Sequence, residues 1–225
     1  MNDQALTLFD LDETLIPLDS DHAWGDHMVA LGWVDPAPFA RRNDAFYAQY
    51  QAGRLDIHAY IDFATEPLRA RSLAEIDAAR ERFMTERIRP WLLPAARQLV
   101  REHQARGDLI ALVTATNDFV TAPIAAAFGI DDLLAVRLER GAAGTITGRI
   151  AGTPSYREGK VTRVHEWLAA RGKSWSDFGC VTVYSDSLND LPLLERATEP
   201  VATNPTPALR EVAVARGWRI LQLFD

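Results

Sequence analysis

The chain has 225 residues, of which 48% are hydrophobic, and this composition excludes intrinsically disordered and fibrous proteins. The 24 Lys and Arg residues against 31 Asp and Glu residues give a net charge of −7, which disfavours nucleic acid and anionic membranes as partners. We therefore expect a small-molecule ligand, bound by one large domain or by a core domain with a smaller insertion.

The first residues, MNDQALTLFD, lack the basic stretch and the following apolar stretch of a secretory signal. No run approaches the roughly 18 apolar residues of a membrane span, so we expect a cytoplasmic protein with no membrane partner. Cys180 is the single cysteine, which excludes an intrachain disulfide and a cysteine-based metal cluster.

Short apolar runs predict six strands, and these lie at 5–9, 109–114, 133–138, 180–185, 199–203 and 219–224. Helical patterns lie between several of them, at 94–107, 117–129 and 158–172, and each one stops at a glycine. Strands that alternate with helices predict an α/β fold with a mainly parallel, doubly wound sheet.

Two segments depart from this alternation. Over 17–90 helical patterns follow one another without an intervening strand, which predicts a helical insertion after the first strand. We therefore expect a core made of 1–16 and 91–225 and an inserted helical domain at 17–90. The glycine-punctuated segment 138–152 predicts a β-hairpin beside the main sheet.

Clusters with polar side chains follow three of the predicted strands at the point where each strand ends. They are Asp10 and Asp12 after the first strand, Thr114, Ala115 and Thr116 after the second, and Asp186, Ser187 and Asp190 after the strand at 180–185. Each cluster alone is also typical of a turn or a helix cap. Because the carboxyl ends of parallel strands meet at one edge of the sheet, their convergence favours a ligand site.

The residue types in these clusters suit phosphoryl transfer. Carboxylate oxygens from Asp10 and Asp186 are hard ligands that fit Mg²⁺. Lys160, near the start of a predicted helix, can balance negative charge while Thr114 and backbone N–H groups hold phosphoryl oxygens. Asp10 and Asp12 are two residues apart, so one carboxylate can attack phosphorus while the other handles a proton.

Four segments carry a resemblance to a known family. DLDETL (10–15) resembles the first motif of the haloacid dehalogenase superfamily, LVTAT (112–116) its second, Lys160 in REGKV its third, and YSDSLNDLPLL (184–194) its fourth. The order and spacing match along the whole chain, and the chain resembles in particular the phosphoserine-phosphatase-like branch, subfamily IB. The resemblance implies a Rossmann-like core, a helical cap at 17–90 and a Mg²⁺-dependent phosphatase.

The resemblance also implies roles in catalysis and phosphate binding. Asp10 is then the nucleophile that forms an aspartyl-phosphate, and Asp12 is the general acid and base. Thr114 and Ala115 bind the phosphate, and Lys160 steadies both the phosphate and the nucleophile.

A metal site is implied by the same resemblance. Asp10, the backbone carbonyl of Asp12, and Asp186 ligate Mg²⁺, while Asp190 orients the metal shell or Lys160. Dehalogenases of the superfamily lack an aspartate two residues after the nucleophile, so Asp12 favours a phosphate substrate.

The substrate is less well defined by the sequence. Phosphoserine phosphatases carry an acid nine residues after the nucleophile that holds the substrate amine, and Asp19 stands there; their arginine for the substrate carboxylate aligns with Ala64. Asp21 and His22 follow Asp19 and are candidate substrate contacts, although capping and packing roles explain them somewhat better. These features predict a small phosphorylated amino alcohol such as histidinol phosphate, with phosphoserine as the other candidate.

Two other functions share parts of this pattern. A phosphomutase uses every core residue named above, and only its product would distinguish it. A non-catalytic Mg²⁺-binding phospho-receiver also uses an acid pair, a Thr and a Lys. A receiver, however, needs a lone phospho-accepting Asp between the acid pair and the Thr, and the order of residues here argues against it.

Overall fold

The computed structural model describes residues 4–224 of the chain. Its strands are β1 (Leu6–Phe9), β2 (Leu109–Asn117), β3 (Leu133–Val136), β4 (Leu138–Arg140), β5 (Ile146–Ile150), β6 (Val181–Ser185), β7 (Glu199–Thr203) and β8 (Arg219–Leu221). Its α-helices are α1 (Ser20–Ala30), α2 (Pro36–Gln51), α3 (Ile57–Arg69), α4 (Leu73–Phe83), α5 (Pro94–Arg106), α6 (Asp118–Phe128), α7 (Glu158–Ala169), α8 (Leu191–Leu194) and α9 (Pro207–Arg216). None of the helices in this range is long and apolar enough to cross a membrane.

The centre of the fold is a six-stranded sheet in the order β3-β2-β1-β6-β7-β8, with its neighbouring strands paired in parallel. The chain first builds outward from β1 to β3 and then returns to build outward from β6 to β8. The order therefore reverses between β1 and β6, the position where ligands bind in such sheets. The predicted α/β fold with a doubly wound, mainly parallel sheet is confirmed.

Strand β1 is buried on both faces, as expected for a central strand of a parallel sheet. Leu8 belongs to the apolar cluster on one face, which it shares with Val164 of α7. Phe9 belongs to the cluster on the other face, together with Val100 of α5. Helices on both faces thus hold β1 rigidly and fix the position of the residue that follows it.

Between β1 and α5 the chain is helical. Asp19 caps the start of α1 by accepting a hydrogen bond from the His22 N–H, and Ser72 and Glu75 form a reciprocal capping box at the start of α4. Trp24 of α1 packs edge-on against Phe119 of α6, with ring centroids 5.4 Å apart, so this helical segment contacts the helices beside the sheet. Its division from the core at residues 17 and 90 stays a prediction.

The hairpin predicted at 138–152 is present as the antiparallel pair β4 and β5. The predicted strand at 133–138, however, is wrong as one element, because β3 ends at Val136 and β4 starts at Leu138. The N–H of Leu138 donates to the Asp118 carboxylate, and the carbonyl of Arg137 accepts from Ala151. These bonds draw the chain out of the main sheet at Arg137.

Candidate active site

A buried ion network occupies the carboxyl ends of β1 and β6. Asp10 directly follows β1, and its N–H donates to the carbonyl of Tyr184 on β6. Lys160 of α7 places its Nζ 2.9 Å from Asp10 Oδ1 and 2.7 Å from Asp190 Oδ2. Lys160 and Asp190 are each 1% exposed and Asp10 is 6% exposed, so one cation links two carboxylates away from bulk water.

The charges in this network are strongly perturbed. Burial raises the pKa of Asp10 to about 7, although Lys160 opposes the shift. Burial alone would lower the pKa of Lys160, but Asp10 and Asp190 raise it above its ordinary value, so Lys160 remains a cation. Burial also raises the pKa of Asp186 well above its ordinary value, and Asp10 and Asp190 add to that effect.

The excess of negative charge fits a divalent cation. Asp10, Asp186 and Asp190 face the single positive charge of Lys160, and Asp190 Oδ1 is buried without a hydrogen-bond partner. Thr14 donates to Asp186 Oδ1 at 3.1 Å and so fixes its direction. Within residues 4–224 no three His, Cys, Asp or Glu side chains converge as a ready set of ligands. Two carboxylates, a backbone carbonyl, water and a substrate phosphate would suffice for Mg²⁺, which keeps several waters.

Asp12 has a different environment from Asp10. Its Oδ1 accepts from the N–H of Ser20 at 2.8 Å, and its Oδ2 accepts from the Thr116 hydroxyl at 2.8 Å. Burial, followed by the negative charge of Asp19, raises the pKa of Asp12 to about 7. Two nearby carboxylates, one paired with Lys160 and one held by neutral donors, can take separate roles, and a pKa near 7 suits proton transfer at neutral pH.

A cavity opens beside this pair of carboxylates. Thr114 and Ala115 line it together with Asp10 and Asp12, so the structure brings the predicted phosphate-binding residues and the predicted catalytic acids to one surface. Thr114 is 1% exposed, and its Oγ accepts from the N–H of Thr116 at 3.1 Å. This bond fixes the Thr114 side chain beside the mouth of the ion network.

The three predicted substrate contacts, Asp19, Asp21 and His22, also line the cavity. Asp19 also caps the start of α1, so the same side chain both stabilises the helix and lines the cavity. Asp21 is 6% exposed, and its Oδ1 accepts from Asn117 Nδ2 at 3.1 Å. His22 places Nε2 2.9 Å from the carboxylate of Asp44, which turns its ring toward α2.

The sequence did not predict the roles of several residues at the site. Thr116, predicted only as a member of the polar cluster after the second predicted strand, orients Asp12, and Asn117, predicted only as the start of a helix, also donates to Asp21. The aromatic residues of the cavity come from α2 and α3, where their spacing indicated only a buried helix face; they are Phe46, Tyr47, Tyr50 and Tyr60. Arg157, in the loop before Lys160, lines the adjoining cleft and has no recognisable pattern in the sequence.

Comparisons with known proteins agree with this geometry. Residues 7–195 match the family model of haloacid dehalogenase-like hydrolases. The chain is 44% identical over 216 residues to a Neisseria meningitidis serogroup C protein named histidinol-phosphatase, a match that covers 96% of this chain and 97% of that protein. It is 30% identical over 219 residues to the Mycobacterium tuberculosis phosphoserine phosphatase SerB1, covering 96% of this chain and 70% of that protein.

Solved structures show the same fold. A Bordetella pertussis Tohama I protein of unknown function superposes with a TM-score of 0.93 at 52% identity, covering 99% of this chain and all of that one (100%). A substrate-bound phosphoserine phosphatase superposes with a TM-score of 0.68 at 18% identity, covering 98% of this chain and 94% of that chain. The predicted superfamily and the prediction of a phosphoric monoester hydrolase are confirmed. The chain belongs to the family of haloacid dehalogenase-like hydrolases.

Proposed function

We propose that this hydrolase is a Mg²⁺-dependent phosphatase that cleaves a small phosphomonoester through an aspartyl-phosphate on Asp10, with histidinol phosphate as its substrate. The observation that supports this substrate is the charge of the cavity. Asp19 and Asp21 line it, its described wall residues include no Lys or Arg, and Arg157 of the adjoining cleft donates to the Gly53 carbonyl instead. Such a wall suits a phosphate ester that carries positive charge and no carboxylate.

Asp10 is the nucleophile in this mechanism. Its carboxylate attacks phosphorus, the ester bond to the leaving oxygen breaks, and the phosphoryl group is transferred to Asp10. Lys160, 2.9 Å from Asp10 Oδ1, favours the ionised carboxylate and holds it in one orientation. Thr114 and the backbone N–H groups beside it hold the phosphoryl oxygens as charge builds on them.

Asp12 moves the protons. In the first step its protonated carboxyl gives a proton to the leaving alcohol, which departs neutral. In the second step the resulting carboxylate takes a proton from the water that attacks the aspartyl-phosphate, releasing inorganic phosphate and restoring both acids. The Ser20 and Thr116 donors keep Asp12 in one orientation for both steps.

Mg²⁺ would be held by Asp10, the Asp12 carbonyl and Asp186, with Asp190 beside it, and would neutralise charge on the phosphate. The three carboxylates of Asp10, Asp186 and Asp190 against one lysine are the reason to expect it. The helical segment at 17–90 acts as a cap that excludes bulk water and bulky chains from the cavity, which favours a small metabolite over a phosphoprotein or a nucleic acid.

Two arginines that could bind a substrate carboxylate are engaged elsewhere. Arg69 binds the Asp62 carboxylate at 2.7 Å and the Thr147 carbonyl at 3.3 Å. Arg71 donates to the Pro67 carbonyl at 2.8 Å and stacks on the ring of Trp33. Phosphoserine would therefore bring its carboxylate into an acidic wall. The relative named histidinol-phosphatase, at 44% identity, also supports the amino alcohol.

The test measures phosphate release with Mg²⁺ from histidinol phosphate, phosphoserine and a neutral sugar phosphate. We expect the highest kcat/KM for histidinol phosphate, and Asp10→Asn should abolish turnover while leaving the thermal unfolding curve intact. Asp131→Asn, at an exposed acid of the core, is the matched control and should keep full activity. Appearance of an isomeric phosphate ester would indicate a mutase, and substantial activity of Asp10→Asn would refute the covalent mechanism.

A further inference from the structure

The inner wall of the cavity holds a buried carboxylate that catalysis does not use. Asp21 is 6% exposed, yet the described part of the chain supplies it only with neutral partners. Asn117 donates to its Oδ1 at 3.1 Å, and the hydroxyl of Tyr60 lies beside it. A buried carboxylate without a cation is costly, so its retention at a ligand cavity points to a cation that arrives with the ligand.

Asp19 and Asp21 are two acids that line the same cavity. Burial raises the pKa of Asp21 well above its ordinary value, and the negative charges of Asp19 and then Asp12 add to the shift, so a cation beside Asp21 is needed to favour its carboxylate form. A ligand with one positive charge would compensate one of the two acids and leave the other buried beside it. A ligand with two positive charges compensates both.

The surroundings of Asp21 suit a flat ring. Tyr60 and Phe46 both line the cavity, and their rings form an edge-to-face pair with centroids 5.3 Å apart. Ile57 adds an apolar side chain to the wall of the same cavity. Aromatic faces next to a carboxylate bind a ring that carries both a π-face and a polar N–H, because each feature finds a partner.

We infer that Asp21, held by Asn117 and flanked by Tyr60, is the specificity-determining residue for a protonated imidazole ring on the substrate, while Asp19 faces the substrate ammonium group. This inference rests on the proposed function. It assigns the two acids to two different cations of one ligand. It also explains why Asp21 is attached to both sides of the cavity: Asn117 ends β2, whereas Tyr60 belongs to α3.

The test compares two substrates that differ only in the ring. Histidinol phosphate carries an ammonium group and an imidazole, whereas phenylalaninol phosphate carries the same ammonium group and a neutral phenyl ring of similar size. We expect the unmodified enzyme to favour histidinol phosphate by about 10–100-fold in kcat/KM, the range of a hydrogen bond to a charged group. Asp21→Asn should reduce this preference to within about threefold, whereas Asp19→Asn should slow both substrates by a similar factor.

Glu66→Gln changes an exposed acid on the same helix as Tyr60 and should leave the preference intact. Asn117→Ser keeps an oxygen to cap α6 but replaces the amide donor to Asp21 with a shorter hydroxyl, so it should lower the preference partially. Binding of the products gives a readout apart from turnover: calorimetry with inorganic phosphate present should show weaker histidinol binding to Asp21→Asn and unchanged phenylalaninol binding.

The outcomes separate the inference from the proposed function. Absence of phosphate release from both substrates, or a lead for phosphoserine, would overturn the proposed function. Rapid hydrolysis of histidinol phosphate with no preference over phenylalaninol phosphate would overturn the inference alone. This measurement needs only the unmodified enzyme, so it is decisive even if Asp21→Asn does not fold. An unchanged preference in folded Asp21→Asn would overturn it as well.

Discussion

Arg157 links the turn after α2 to the helix that carries Lys160. It has φ of 50° and ψ of −122°, a region that residues other than glycine rarely adopt, and it directly precedes α7. Its Nη1 donates to the carbonyl of Gly53 at 2.8 Å, while Asn189 Nδ2 donates to the carbonyl of Tyr50 at 2.9 Å. Two bonds therefore tie the end of α2 and the turn after it to the residue before α7, which carries Lys160, and to the segment that carries Asp190.

Replacing Arg157 with Ala or with Gly separates the strain from the bond. Both variants lose the bond to Gly53, but only glycine relieves a backbone strain of about 1–3 kcal/mol. The extra freedom of glycine in the unfolded chain offsets about 0.5–1 kcal/mol of that gain. We therefore expect Arg157→Gly to exceed Arg157→Ala by about 1 kcal/mol in the free energy of unfolding measured with urea.

The same pair of substitutions at His165 is the control, because His165 is an exposed residue in the interior of α7. At this position the free energy of unfolding of the glycine variant should be lower than that of the alanine variant by about 1 kcal/mol, a difference opposite in sign to that expected at Arg157. Loss of the tie to Gly53 should lower kcat/KM by about 2–10-fold in both Arg157 variants, the worth of one partly exposed hydrogen bond. An Arg157→Gly variant no more stable than Arg157→Ala would refute the strained backbone. A loss of activity in the glycine variant alone would show that the backbone conformation of residue 157, rather than the bond to Gly53, positions Lys160.

Two further predictions concern metal and pH. A chelator should stop phosphate release, Mg²⁺ should restore it and Zn²⁺ should not, since the ligands are all oxygen atoms; full activity in metal-free buffer would contradict the magnesium site. Burial lowers the pKa of His27 below its ordinary value of 6.5, and its Nε2 donates to the Ala79 carbonyl. The unfolded chain then binds more protons than the folded one, so the stability contributed by neutral His27 is present above pH 6.5 and is lost as the pH falls below it. The urea midpoint of His27→Gln, which retains an N–H donor, should therefore fall less than that of the unmodified protein between pH 7.5 and pH 5.5, and parallel curves would refute this role.

The sheet and the ion network were predictable because they depend on local rules. Asp10 and Asp186 follow apolar runs directly, and the carboxyl ends of parallel strands meet at one edge, so their proximity follows from the order of the strands. Lys160 follows from the same rule through the helix that precedes β6. The break at Arg137 was not predictable, because it depends on a carboxylate at the start of α6 that is distant in the sequence.

The wall of the cavity depends on how helices pack, and a single sequence does not carry that information. Tyr60 and Phe46 appear in the sequence only as members of apolar helix faces, and their meeting at Asp21 follows from the packing of α3 against α1 and α2. One signal, however, was available at Asn117. A cap needs only a side-chain oxygen, which Asp, Ser or Thr also provides, whereas Asn adds two N–H donors that must be satisfied in a buried position. Asn117 is 3% exposed, its Oδ1 caps α6 and its Nδ2 reaches Asp21. An amide cap at the carboxyl end of a buried strand therefore predicts an acceptor nearby, and here that acceptor is the carboxylate to which we assign the specificity of the site.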